Sequence, residues 1–202
     1  MNDQGKLIVV SGPSGAGKST VISRVMKRDK SMVFSVSATT RQPRSGEQDG
    51  IDYYFIDRTK FEGMIANNEL LEYAQYVGNY YGTPKAPVLN NIKNGISVVF
   101  DIEVQGATQI KQQYPEAILI FLIPSEFSQI EKRLRGRASD SEEKILQRIE
   151  TARGEYSKAT DYDYVVINDD PEQAAKEFEA IITAEKCRMS DRKNYITEVC
   201  SL

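Results

Sequence analysis

The sequence has no histidine, no tryptophan and only two cysteines, Cys187 and Cys200. Without histidine, an imidazole-based triad, proton shuttle or metal site is excluded. The cysteines sit near the C-terminus without metal-ligand spacing and read as two reduced thiols. Long apolar runs are also missing: the longest, 117–124, falls far short of the roughly 20 residues that span a bilayer. Residues 1–6 are polar and do not follow a signal-peptide pattern, so no membrane partner is expected and the cytoplasm is the expected compartment. Nor is positive charge in excess. The 26 Lys and Arg face 29 Asp and Glu, a net charge of −3, so no basic field marks a nucleic-acid partner. What is present is ordinary for a globular chain: 202 residues, 40% hydrophobic and 27% charged. A chain of this length buries roughly 70% of its unfolded surface and suits one unit with insertions. Its oligomeric state is not legible.

Four short apolar segments, 7–10, 97–100, 118–123 and 164–167, have the near-continuous hydrophobicity of strands covered on both faces. Helical patterns separate them. In 18–28, Val21, Ile22, Val25 and Met26 share one face. Asp170-Pro171-Glu172-Gln173 reads as a cap, a first-turn proline and a capping-box partner, followed by a stripe of Ala174, Ala175, Phe178, Ile181 and Ile182. The expected fold is α/β, a three-layer α/β/α core around a parallel sheet.

Two stretches interrupt it. Segment 37–87 is aromatic and turn-rich, with strands expected at 53–56 and 71–77, a hairpin turn at Gly78-Asn79 and a capping box at Thr59 to Glu62. Segment 129–154 is helical and rich in arginine, with Ser139 and Glu142 as its expected cap and Ile145, Leu146 and Ile149 on one face. The core is then 1–36, 88–128 and 155–202, with a small mixed α/β insertion at 37–87 and a helical segment at 129–154.

The strongest motif is Gly12-Pro13-Ser14-Gly15-Ala16-Gly17-Lys18-Ser19, followed by Thr20. It is a complete G-x-x-x-x-G-K-[ST] placed between an expected strand and an expected helix. Such a loop turns backbone N–H groups toward phosphates and opens a helix N-terminus beside them. Lys18 then reaches the β- and γ-phosphates and the Ser19 hydroxyl binds Mg²⁺. Asp101, at the end of the strand 97–100, is a second candidate for the Mg²⁺ shell.

Further motifs follow in order: Ser37-Ala38-Thr39-Thr40-Arg41-Gln42-Pro43-Arg44-Ser45-Gly46-Glu47, Asn68-Glu69-Leu70-Leu71-Glu72-Tyr73, Gly78-Asn79-Tyr80-Tyr81-Gly82-Thr83, Asp101-Ile102-Glu103-Val104-Gln105-Gly106, Arg133-Leu134-Arg135-Gly136-Arg137 and Val166-Ile167-Asn168-Asp169-Asp170. In order and spacing they resemble the guanylate kinase family over about residues 5–184. The resemblance implies ATP and GMP as substrates, Mg²⁺ as cofactor, a GMP-binding insertion at 37–87 and a mobile lid at 129–154. It places Arg41, Arg44, Tyr53 and Tyr81 at the GMP phosphate, where planar guanidinium forks suit phosphate oxygens. Glu72 stands where the family reads guanine, whose N1–H and 2-amino group are two donors for one carboxylate. Ser37 and Thr83 are implied at the O6/N7 side, Thr83 departing from the family's usual serine, and Glu103 near the guanosine. Arg137 and Arg148 are implied as clamps on the transferring phosphoryl group, and Arg133 and Asn168 as adenine contacts. Arg135 and Arg153 read as solvated ion-pairing residues. A family-like module that binds phosphorylated peptides without catalysis is the alternative, disfavoured by the complete phosphate loop.

Overall fold

All four expected core strands form, and a fifth joins them. The computed structural model describes residues 4–76, 78–136 and 142–200. In chain order the elements are β1 (Leu7–Ser11), α1 (Lys18–Arg28), β2 (Met32–Phe34), β3 (Ala38–Thr39), β4 (Tyr54–Phe55), α2 (Arg58–Ala66), β5 (Leu70–Tyr76), β6 (Asn79–Pro84) and α3 (Lys85–Lys93). There follow β7 (Ser97–Asp101), α4 (Val104–Gln113), β8 (Ile118–Ile123), α5 (Phe127–Arg135), α6 (Glu142–Tyr156), β9 (Tyr164–Ile167), α7 (Pro171–Lys186) and α8 (Met189–Cys200). The main sheet has the order β2-β7-β1-β8-β9, and every pairing in it is parallel.

Period-two alternation divides the buried residues into two layers. Ile8 and Val10 of β1 pack with Val21, Ile22 and Val25 of α1 and Phe178 of α7. Leu7 and Val9 face the other way, toward Val88 of α3 and Ala107 and Ile110 of α4. Helices thus cover both faces, as an all-parallel sheet requires. Strand β2 escapes the sequence pattern because it is three residues long and only Met32 is fully buried.

The insertion folds as a second sheet, β4-β3-β6-β5, over a small core of Ala38, Phe61 and Leu70. The cap of its helix α2 lies two residues before the expected one: Asp57 accepts from the Lys60 N–H at 2.7 Å, and Glu62 pairs with Arg58 instead of capping. Two glutamines of α4 hold the edge of β5. Gln109 donates to the Tyr73 carbonyl and accepts from its N–H, and Gln113 donates to the Leu71 carbonyl. Leu71 itself is buried in the core layer of α4. The strand that carries Glu72 is therefore fastened to the core.

Segment 129–154, expected to be a lid, starts inside the core. Ile130 and Leu134 of α5 and Ile145, Ile149 and Ala152 of α6 join the same buried layer as α1 and α7. Leu146, expected beside them, is exposed. The expected cap Ser139 lies outside the described residues. At α7 the Asp170 carboxylate accepts from the Glu172 N–H with Pro171 in the first turn, but Gln173 pairs forward with Glu177, so no capping box closes. Among the described residues no helix is long and apolar enough to cross a membrane.

Candidate active site

Central strand β1 delivers residues 12–19 to the C-terminal edge of the parallel sheet, where α/β folds place ligands. Two glycines there admit no other residue. Gly12 has φ 147°, and a Cβ on it would lie 2.1 Å from the Leu122 carbonyl oxygen. Gly17 has φ 93°, and its Cβ would lie 2.4 Å from Nδ2 of Asn168. Gly17 is also the cap residue of α1, and no side chain caps that helix. With no side-chain cap, the start of the helix and the positive end of its dipole stay open to a ligand.

Lys18 folds back over the loop, with Nζ donating to the Gly12 carbonyl at 2.7 Å and standing 3.7 Å from Asp101. Asp101 closes β7 beside Val10. Burial pushes its carboxyl up, and the Lys18 ammonium draws it partly back. Ser19 and Thr20 are exposed at the helix start.

Behind the loop, the implied adenine contacts are differently engaged. Asn168 is 1% exposed, and its Nδ2 donates to the Ala16 carbonyl at 2.6 Å. Arg133 donates to the Ala16 carbonyl at 3.0 Å and to the Asn168 carbonyl at 2.8 Å. The Asn168 side chain offers no open surface to a base, and the guanidinium edges of Arg133 are already bonded.

Across the cleft, Glu72 occupies a register slip in β5: Leu70 pairs with Pro84, but Tyr73 pairs with Gly82. Leu70, Leu71 and Glu72 are buried in succession here, Leu70 in the core of the insertion and Leu71 in the layer of α4, so both faces of the strand are covered. Thr83, fully buried on β6, donates its hydroxyl to Glu72 Oε1 at 2.7 Å. That hydroxyl, expected at the O6/N7 edge, has its proton on the carboxylate. On the far side Gly106 leaves space: a Cβ there would come within 2.8 Å of Glu72 Oε2. Burial pushes the Glu72 carboxyl above the ordinary range, the Thr83 hydrogen bond opposes this, and the Glu103 charge adds to it. Glu103 is exposed at the start of α4.

The phosphate-binding candidates surround one loop. Both terminal nitrogens of Arg41 donate to Glu47 at 2.9 Å, and its guanidinium lies 5.4 Å from the Tyr53 ring centroid. Glu47 also accepts from the Arg44 N–H, while the Arg44 side chain is exposed. Tyr53 and Tyr81 meet edge to face with centroids 6.1 Å apart. The Ser37 carbonyl accepts from the Tyr54 N–H, fixing β3 against β4. Arg148 is partly buried on α6, and Arg137 lies outside the described residues. Arg135 pairs with Glu131 and Glu142, as expected, whereas Arg153 lies over the Phe127 ring.

Three residues of the site carried no assignment in the sequence. Glu47 and Gly106 lie inside quoted motifs, but what they do depends on through-space partners. Glu155 looks like one more helical charge, yet it is half-buried on α6. Burial pushes its carboxyl up, Lys18 draws it down, and Glu103 pushes it up.

Comparison with known proteins agrees with this geometry. The family model for guanylate kinase matches residues 4–185. The chain is 49% identical over 192 residues to the guanylate kinase of Carboxydothermus hydrogenoformans, covering 95% of this chain and 94% of that one. It is 50% identical over 185 residues to the guanylate kinase of Thermus thermophilus, covering 92% and 84%. The crystal structure of guanylate kinase from Anaplasma phagocytophilum superposes with a TM-score of 0.74 at 34% identity, covering 92% of this chain and 88% of that one.

Proposed function

The chain belongs to the guanylate kinase family, and from that premise we propose how its residues divide the reaction. It is a nucleoside monophosphate kinase that moves the γ-phosphoryl group of ATP to GMP, giving ADP and GDP. The acceptor is already an anionic phosphate oxygen, so no general base is needed and a chain without histidine loses nothing. Catalysis is alignment plus neutralisation of charge.

The loop 12–19, with Thr20, cradles the ATP phosphates. Lys18 leaves the Gly12 carbonyl to follow the γ-phosphate, and Arg137 and Arg148 close on it from the helical side. Arg41, Arg44, Tyr53 and Tyr81 hold the GMP phosphate, for which Arg41 exchanges part of its bond with Glu47. Glu72 accepts from guanine N1–H and the 2-amino group, with Ser37 and Thr83 bordering the O6 edge and Glu103 the ribose side. The buried, inward-turned carboxylate of Glu72 is the observation that carries the choice of guanine.

The residues suit Mg²⁺. That ion binds through one or two protein groups plus substrate phosphates and water. The exposed Ser19 hydroxyl and the Asp101 carboxylate stand at the mouth of the loop to supply such groups. When bound, the ion neutralises phosphate charge. Among the described residues no group of three Cys, Asp or Glu is placed to hold a metal ion.

Closure brings the helical segment 129–154 and the outer insertion toward the loop, with the buried residues of α5 and α6 marking where that segment stays attached to the core. The compartment is the cytoplasm, where both nucleotides are at hand. Incubation with ATP, Mg²⁺ and GMP, followed by chromatography, should give ADP and GDP in equal amounts. Tight GMP binding without product would instead support a binding module.

A further inference from the structure

We propose that Asn168 and Arg133 are positioning residues of the phosphate cradle, acting through the Gly15 and Ala16 carbonyls. This rests on the reading of residues 12–19 as a polyphosphate site. A loop that turns N–H groups toward a ligand must turn carbonyls away from it, and carbonyls turned into a protein interior need donors. Here Ala16 is fully buried, and its carbonyl receives two bonds, from Asn168 Nδ2 at 2.6 Å and from Arg133 at 3.0 Å. A longer contact of 3.5 Å joins Arg133 to the Gly15 carbonyl.

The peptide joining Ala16 to Gly17 is trans, so its N–H points opposite to its carbonyl, away from Asn168 and into the cradle. Donors on the carbonyl polarise that peptide and strengthen the N–H that a phosphate would meet. The guanidinium adds a positive charge directly behind the loop.

The brace is itself fixed. The Asn168 N–H donates to the Ile123 carbonyl at 2.7 Å, the Asn168 carbonyl accepts from Arg133, and Gln129 accepts a further Arg133 bond at 3.0 Å. Gly17 has no side chain where one would collide with Nδ2. Holding Nδ2 on the carbonyl leaves Asn168 Oδ1 buried without a protein partner among the described residues. Unsatisfied groups of this kind persist where another constraint dominates. Here the constraint is the Ala16 carbonyl.

The test compares Asn168→Ala, Asn168→Asp and Arg133→Lys in the full chain. ATP, ITP and inorganic tripolyphosphate are titrated into each, and GMP affinity and Tm are recorded alongside. Asn168→Ala should weaken all three polyphosphates by a common factor of about ten- to a hundredfold, the range seen when residues that support metal ligands from behind are lost. Asn168→Asp should be worse, since a carboxylate would face the carbonyl. Arg133→Lys should lose less, because the ammonium keeps the positive charge and can still donate to one carbonyl. GMP affinity should stay within about twofold. Loss confined to ATP, with ITP and tripolyphosphate unchanged, would overturn the proposal in favour of base reading. Should the Asn168 variants not fold, normal tripolyphosphate affinity in Arg133→Lys overturns it equally. Failure of the unmodified chain to bind tripolyphosphate would instead remove the cradle reading itself.

Discussion

Behind the loop 12–19, Asn168 and Arg133 donate to backbone carbonyls; behind Glu72, Thr83 donates to a side-chain carboxylate and Gly106 withholds a side chain. On the proposed donor side, what meets the ligand is backbone N–H and cationic side chains. On the proposed acceptor side, what meets the base is a single buried acid, Glu72. A backbone cradle recognises phosphate whatever base is attached, since every nucleoside triphosphate presents the same oxygens. A buried carboxylate recognises a pattern of donors and is penalised by any ligand that leaves it unpaired. In the proposed division of the site, generality at the donor end goes with strictness at the acceptor end.

The strict end gives the largest expected effect. AMP presents an acceptor at N1 and no 2-amino group, so it would set a lone pair against a buried charge. Sites of this kind reject the wrong analogue by roughly 10⁴-fold. The expected kcat/KM order is GMP, then IMP, then AMP, and Glu72→Gln should weaken GMP and narrow its lead over AMP. Equal use of AMP and GMP would place base recognition elsewhere. At the general end, Lys18→Ala should lower kcat by a hundredfold or more, about 3 kcal/mol, with GMP affinity kept. Near-normal turnover by the folded variant would contradict the charge-neutralisation account.

A smaller effect is expected at Gly106. In a helix, alanine is favoured over glycine by about 1 kcal/mol, so the glycine here supplies room. Gly106→Ala should push Glu72 off its line and raise KM for GMP about tenfold, a loss of roughly 1.4 kcal/mol in binding, without weakening ATP. A rise in KM for both substrates would point to general disturbance.

The smallest effect is with pH. A carboxyl pushed up by burial is protonated more readily in the folded than in the unfolded chain, so its stabilising contribution is present in acid and lost as pH rises through the folded value. Recognition of guanine needs the ionised form and runs the opposite way. On acidification kcat/KM for GMP should fall a few-fold at a pH above the usual carboxylate range. Glu72→Gln should lack this component while keeping the shared titration of the GMP phosphate. Superimposable profiles for the two proteins would show that Glu72 does not titrate in recognition.

Legibility in the sequence followed the range of the forces involved. The strands 118–123 and 164–167, helix α1 and the phosphate loop were readable because apolar periodicity and glycine spacing are local. Strand β2 was not, because three residues carry too little pattern. The cap of α2 fell on Asp57 because an Asp at that point satisfies the Lys60 N–H before Thr59 is reached. Glu72 is identified by resemblance, but its burial depends on pairing with β6 and on the packing of β5 against α4. The engagement of Asn168 with Ala16, 152 residues earlier in the chain, leaves no trace in either local stretch.

The independence of the two ends can be tested by calorimetry alone. GMP and a non-hydrolysable ATP analogue are each titrated into Lys18→Ala and into Glu72→Gln. Glu72→Gln should bind GMP at least tenfold more weakly and the analogue within about twofold of the unmodified protein, and Lys18→Ala should show the reverse. If either variant weakens both ligands alike, the two ends are not separate readers of charge and of base, and the account fails.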